Sequence, residues 1–268
     1  MSYMITPYYQ NKYVTLYCGD CLEVMPQLDM TFDACITDPP YGTTACKWDN
    51  VIPFEDMWRE LKRLVKPNGV VCLFGSEPFS SKLRCSNLEM FKYDWIWVKS
   101  KGSCTGFIHA KNMPMKQHEI ISCFSQCAMG HLSLLGNNRM VYNPQNLIHK
   151  PTPKSSKAKF GSTIGKRPSQ VDNYIREYIN YPTSVLSFTN EKGLHPTQKP
   201  TALLEYLIKT YTQENECVLD FTAGSGTAGV AAMETNRKCV LIEKEEKYCQ
   251  ITVQRLQDKE KQIAERLF

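Results

Sequence analysis

Cys217-Val218-Leu219-Asp220-Phe221-Thr222-Ala223-Gly224-Ser225-Gly226-Thr227 reads as a short buried strand, a glycine-rich turn and the opening of a helix. Small residues continue through Ala232, so that helix can pack close to a sheet. A further apolar strand, Cys239 to Ile242, follows and ends in Glu243. Strand, glycine turn, helix, strand and acid is the order of a dinucleotide-type binding unit. Glycines let the backbone approach a ligand, the helix amino end favours an anion, and a strand-end acid accepts from ribose hydroxyls. Gly-Ser-Gly falls short of GxGxxG, and a plain helix-capping loop would share its composition. Glu243, 17 residues after Gly226 at a strand end, favours the ligand site.

Upstream, the apolar run Phe32 to Ile36 leads into Thr37-Asp38-Pro39-Pro40-Tyr41-Gly42. That places the acid at the carboxyl end of a buried strand, where open α/β sheets bind ligands. Proline fixes its own φ and restricts the residue before it, so the turn is stiff. An acidic acceptor and a carbonyl held rigidly beside an aromatic plane suit a planar group bearing an NH2. A strand-ending turn is the plain alternative, since Asp and Pro are common turn residues.

The rest of the chain alternates in the same way. Residues 13–18 read as a strand closed by Gly19-Asp20, and 21–29 as a short helix or turn. Phe54, Met57, Trp58, Leu61, Leu64 and Val65 mark an amphipathic helix over 54–66, stopped by Pro67-Asn68-Gly69. Strands follow at 70–74, 93–99 and 119–124, with a helix over 78–90. Leu203, Leu204, Leu207, Ile208 and Tyr211 line one face of another helix. A charged terminal helix over 245–268 turns Tyr248, Ile251, Leu256 and Ile263 inward. Strands alternating with helices predict a mostly parallel sheet.

Composition bounds the function. The chain has 268 residues, 42% hydrophobic and 22% charged, which is ordinary for a globular protein, and its net charge of +5 permits a nucleic-acid partner without demanding one. The amino terminus lacks a basic segment leading into an apolar core, and no apolar run approaches the roughly 20 residues of a membrane span. The expectation is a cytoplasmic protein without membrane contact. Twelve cysteines include Cys18-Gly19-Asp20-Cys21, but no second ligand pair of matched spacing. Most, such as Cys35, Cys72, Cys123 and Cys239, lie in apolar runs and read as core residues, with no metal. Between residues 128 and 176 there are eight Lys or Arg and one acid, Asp172, a net +7 in a stretch of poor apolar periodicity. Composition leaves this segment open between a solvated loop and a phosphate-contacting surface.

Three motifs, Asp38-Pro39-Pro40-Tyr41, His195-Pro196-Thr197-Gln198-Lys199-Pro200 and Ala223-Gly224-Ser225-Gly226-Thr227, together resemble the amino-methylating DNA methyltransferases. With the catalytic tetrapeptide before the cofactor turn, the order resembles their beta group. The resemblance implies an α/β fold: a Rossmann-like, mostly parallel sheet of about seven strands that binds S-adenosylmethionine, circularly permuted so that the cofactor half comes last. It divides the chain into a catalytic half (1–127), a target-recognition insertion (128–194) and a cofactor-binding half (195–268). Asp38, Pro39, Pro40 and Tyr41 would be catalytic. The cofactor would meet Asp20, Cys21, Asp38, His195, Thr197, Lys199, Asp220, Phe221, Ala223, Gly224, Ser225, Gly226, Thr227, Glu243 and Lys244. Within that set, Glu243 would hold the ribose, Asp20 the adenine amino group, and Lys199 would lie near the carboxylate. The family often has Asp-Pro-Phe before the turn, whereas Phe221 here follows Asp220 directly.

The resemblance further implies double-stranded DNA as partner and a flipped-out base as target. An Asp at the first motif position goes more often with adenine N6 than with cytosine N4. Asn137, Asn138, Arg139, Asn143, Gln145 and Asn146 are candidate readers of base edges. The Thr43 to Asn50 loop, with Lys47 and Trp48, would close over the base or simply pack on the surface. A homodimer and a cognate restriction endonuclease stay open as partners. The competing readings are methyl transfer to RNA or a protein amide, and a cofactor-dependent DNA-binding module without catalysis.

Overall fold

The computed structural model describes residues 5–43, 49–99, 104–130, 135–136, 138–155, 173–191 and 198–266. His195, Thr197, Asn137, Lys47 and Trp48 lie outside the described residues.

Among the described residues, nine strands form one sheet. Its parallel centre runs β2 (Val14–Cys18), β11 (Lys238–Glu243), β10 (Cys217–Asp220), β3 (Phe32–Thr37) and β4 (Val65–Gly75). Beyond β4 come β6 (His118–Phe124), antiparallel, and β5 (Phe91–Lys99), which returns to the direction of β4. Two short edges extend the expected seven: β1 (Tyr9–Gln10) beside β2, and β9 (Val185–Phe188) parallel to β5. A separate hairpin, β7 (Ile148–Ser155) with β8 (Asn173–Ile179), stands outside the sheet.

The central strands are apolar at nearly every position because both faces are covered. Successive side chains point to opposite faces. Ala34, Ile36, Val218, Cys239 and Leu241 therefore pack with α4 (Thr201–Tyr211) and α5 (Thr227–Glu234), and with α6 (Glu246–Glu265). Cys35, Leu219, Val240 and Ile242 pack on the other face with α2 (Phe54–Leu64), α3 (Phe79–Cys85) and the short α1 (Cys21–Val24), and Phe32 joins them across a register shift that lies between it and Ala34. The chain thus leaves β3 through α2 on one face, and leaves β10 through α5 on the other. Strand order reverses between these neighbours, so a crevice opens at their carboxyl ends.

Several boundaries differ from the sequence reading. Pro67-Asn68-Gly69 does not separate α2 from its strand; it is an irregularity inside β4, where the pairing with β3 shifts register between Phe32 and Ala34. The fully buried face of α6 is Cys249, Thr252 and Leu256, and Ile263 packs partly buried against the same core as expected. Tyr248 and Ile251 are only half-buried, and Thr252 takes the place beneath the glycine turn. The basic segment is not one excursion: β9 completes the sheet, and Met140 and Leu186 are buried in the core. The cysteines described are all free, and Cys35, Cys72, Cys123 and Cys239 are buried as expected.

Candidate active site

Asp38 follows β3, and its side chain is 22% exposed. One carboxylate oxygen accepts the Tyr41 hydroxyl and the other accepts the Lys199 ammonium. The Asp38 carbonyl accepts from the Thr222 hydroxyl at 3.0 Å, which fixes the turn to the start of the glycine loop. One face of Tyr41 rests on Phe79, with ring centroids 5.1 Å apart. Gly42 and Thr43 each donate a backbone N–H to the buried Asp49 carboxylate at 2.9 Å, so Asp49 braces the exit from the tetrapeptide.

Lys199 carries a second ion pair. Its Nζ lies 3.3 Å from Glu119, on β6, whose other oxygen pairs with Lys99 of β5 at 2.7 Å. Two cations and two anions therefore share one largely buried cluster. Burial pushes the Asp38 carboxyl above its ordinary value, with Lys199 pulling it down and Glu119 pushing it further up. Burial acts the same way on Glu119, but Lys199 and Lys99 outweigh it and hold that carboxyl low. Burial works against the charge on Lys199, and its two carboxylate neighbours reverse the effect and raise its pKa. Lys199 also sits 5.2 Å from the Phe74 ring centroid, a cation–π position.

The glycine turn forms the other half. Gly224 and Gly226 take left-handed φ values of 54° and 74°. A Cβ on Gly226 would meet Thr252 at 2.4 Å, so only glycine fits there. Glu243 is buried and accepts two backbone N–H groups, from Gly224 at 2.7 Å and Glu245 at 2.8 Å. Asp220, on β10, accepts the Thr37 hydroxyl at 2.5 Å and the Thr222 N–H at 3.2 Å, both at Oδ1. Burial pushes its carboxyl up to about 7, against those hydrogen bonds. Asp20 caps α1 through Leu22 N–H at 2.9 Å and pairs with Lys244 at 2.9 Å. Cys21 is buried, and its thiol is pushed up to about 12 by burial and by Asp20, so it stays protonated.

One cavity of about 910 Å³ joins the two halves. Asp20, Cys21, Asp38 to Tyr41, Lys199, Asp220, Phe221, Ala223, Gly224, Ser225, Thr227, Glu243 and Lys244 all line it, whereas Gly226 does not. Phe221 is also 1% exposed and packed in the core, so it supports the wall as much as it lines it.

Four groups escaped the sequence reading. Glu119 and Lys99 join the cluster only because β6 inserts antiparallel between β4 and β5. Thr222, in sequence only one residue of the turn, ties both strand ends together through the Asp38 carbonyl and the Asp220 carboxylate. Arg255 of α6 donates to the Ser225 carbonyl at 2.6 Å and the Thr227 hydroxyl at 3.1 Å, clamping the turn. A basic residue one turn beyond Thr252 was the available signal. Among the candidate base readers, Asn143 is committed elsewhere: it bonds the Lys209 and Thr212 carbonyls at the end of α4 and accepts from Gln213.

A family described as DNA methylase matches residues 32–254, from the start of β3 into α6. The Type II methyltransferase M2.LlaDCHI of Lactococcus lactis subsp. cremoris is 26% identical over 285 residues, covering 94% of this chain and 93% of its own. M.HpaI of Haemophilus parainfluenzae, also a Type II methyltransferase, is 26% identical over 255 residues, covering 90% and 73%. The crystal structure of an M1.HpyAVI–SAM complex superposes with a TM-score of 0.59 at 26% identity, covering 91% of this chain and all of that one (100%). The cytosine-N4-specific PvuII DNA methyltransferase superposes with a TM-score of 0.64, covering 95% and 90%. At 15% identity, that likeness shows the fold alone.

Proposed function

The chain belongs to this DNA methylase family, and from that premise we propose that it transfers a methyl group from S-adenosylmethionine to adenine N6 of a flipped-out base in double-stranded DNA. The observation that carries this reading is the cavity itself: an acid-proline-proline-tyrosine turn at one strand end faces a glycine cradle at the next. Its volume, about 910 Å³, lies near the upper end of the usual range for ligand pockets and suits a nucleoside cofactor beside a base. When bound, the cofactor supplies a methyl group activated by a sulfonium.

The residues fit that group. Glu243 is held by backbone N–H groups and keeps lone pairs for ribose hydroxyls. Asp20, Cys21 and Lys244 are assigned to the adenine end. Asp220, Phe221 and Ala223 to Thr227 are assigned to the methionine end, with Lys199 toward its carboxylate. The lone pair of a base amino group is delocalised into its ring and attacks poorly. Asp38 and the Pro39 carbonyl each accept one amino hydrogen, which draws the lone pair toward the methyl group. Each Asp38 oxygen has a second acceptor site, so the contacts to Tyr41 and Lys199 do not block this. A carboxyl held above its ordinary value also suits the proton that the methylated nitrogen sheds. Tyr41 offers the base the ring face that Phe79 does not cover. Positioning does most of the remaining work.

Residues 1–127 and 195–268 are read as the two halves of the catalytic domain. The basic stretch between, with the exposed β7–β8 hairpin carrying Lys150 and Lys154, is read as DNA-contacting. The test is transfer of labelled methyl groups to DNA, RNA and protein in parallel, followed by digestion of the DNA and identification of the nucleoside by mass. N6-methyladenine is expected. N4-methylcytosine would overturn the choice of base, and label confined to RNA or protein would overturn DNA as substrate.

A further inference from the structure

Residues 100–117, between β5 and β6, contain three lysines and no acid, yet carry Phe107, Ile108, Met113 and Met115. Phe107 is 80% exposed and Ile108 91%, and both methionines are exposed as well. Single exposed apolar residues are unremarkable, but adjacent large ones on a basic loop beside a cavity call for an occupant. The tip is preformed. Gly106 takes a φ of 90°, and its carbonyl accepts from His109 N–H at 2.9 Å while the Phe107 carbonyl accepts from Ala110 N–H at 3.1 Å. The neck is fixed by two reciprocal backbone bonds, Thr105 N–H to the Lys116 carbonyl at 2.8 Å and Lys116 N–H to the Thr105 carbonyl at 2.9 Å. Lys116 Nζ also bonds the Ser76 hydroxyl just past β4.

Topology places this tip at the catalytic mouth. β5 runs in the direction of β3 and β4, so its carboxyl end and the loop that follows leave the same sheet edge as Asp38. Thr105 and Lys116, the two residues of the neck, line the cavity with Asp38. Phe107 is two residues beyond.

We propose that Phe107 and Ile108 form a wedge that fills the DNA stack where the target base leaves it, with Lys111 and Lys116 against the flanking phosphates. The proposal rests on the base-flipping reading above. Extruding a base breaks its pairing and stacking, and an apolar side chain entering the vacated step offsets part of that cost. The lysines supply charge complementary to a duplex and no sequence information.

The experiment compares wild type with a Phe107→Ser/Ile108→Ser double variant, which exposes no new core. Substrates are two duplexes bearing the site found by sequencing modified DNA from expressing cells. One is fully paired, and in the other the target base faces an abasic position. On the paired duplex, kcat/KM is expected to fall by about tenfold to a hundredfold, since unstacking is no longer offset. On the abasic duplex, where flipping costs least, the variant is expected to come within about threefold of wild type. Equal losses on both substrates, or no loss on either, would overturn the wedge. If sequencing finds no modified base in expressing cells, it is the DNA-methylating reading that fails, and the wedge falls with it.

Discussion

Asp38 and Glu243 are both acids at the carboxyl ends of parallel strands, and both line one cavity, yet they are held by opposite means. Glu243 accepts two backbone N–H groups, so its position is set by the main chain of the turn it stabilises. Asp38 is held by side chains: Tyr41 three residues on, and Lys199 161 residues on. Lys199 is shared in turn with Glu119. Backbone contacts give a carboxylate a fixed place and no net charge partner. Ion pairs give it a tunable proton affinity that depends on every charge in the cluster. A ligand cradle needs the first property and a reacting acid needs the second.

The sharpest way to break this comparison is to remove each acid. Asp38→Ala is expected to lower methyl transfer by a hundredfold or more, on the order of a lost catalytic base, while cofactor affinity stays within about threefold. Glu243→Ala is expected to do the reverse, with cofactor affinity falling first and DNA binding retained. Isothermal titration with S-adenosylmethionine alongside single-turnover methylation separates the two. Normal turnover by the Asp38 variant would sink the mechanism.

Glu119 tests whether the ion-pair cluster tunes Asp38. Glu119 pushes the Asp38 carboxyl up and shares its counterion. In Glu119→Gln the full charge of Lys199 acts on Asp38, whose proton affinity then falls. The expected result is a drop of about tenfold in kcat/KM, as a weaker base gives, together with an acid limb of the pH–rate profile moved to lower pH. A merely structural Glu119 would lower the rate without moving that limb.

The two halves were also unequally legible in the sequence. The Glu243 half could be read because its parts lie within 27 residues and each has a local reason: a short apolar strand, glycines at left-handed φ, small residues opening a helix. Asp38 itself was legible from its prolines and the apolar run before it. Its surroundings were not. Glu119 looks like an ordinary acid at the start of a strand, and Lys199 lies 80 residues further on. Their meeting depends on β6 entering antiparallel between β4 and β5, which no local pattern encodes. β9 escaped for a related reason. Four residues, Val185 to Phe188, in a polar stretch carry too little periodicity to be seen, and their strand identity comes from pairing with β5.

Asp220 lies between these extremes, on β10, which separates β3 from β11. It takes one side-chain donor, the Thr37 hydroxyl, and one backbone donor, Thr222 N–H, with no cation among these partners. Burial therefore wins, and its carboxyl rises to about 7. From about pH 4, the ordinary aspartate value, up to 7, the folded chain holds a proton that the unfolded chain has released. Stability owed to Asp220 is thus greatest in acid, falls across that window and stays low above it. Both donors bond Oδ1, so Asp220→Asn can keep them on its amide oxygen while removing the charge. The variant's gain in melting temperature over wild type is expected to be a few degrees larger at pH 8 than at pH 5. Differential scanning calorimetry at the two pH values reads this directly, because groups common to both proteins cancel. Equal differences at pH 5 and pH 8 would show that Asp220 does not titrate between them. Asp220 would then be a carboxylate fixed by its hydrogen-bond donors, and the division between fixed and tunable acids would be the only one in the cavity.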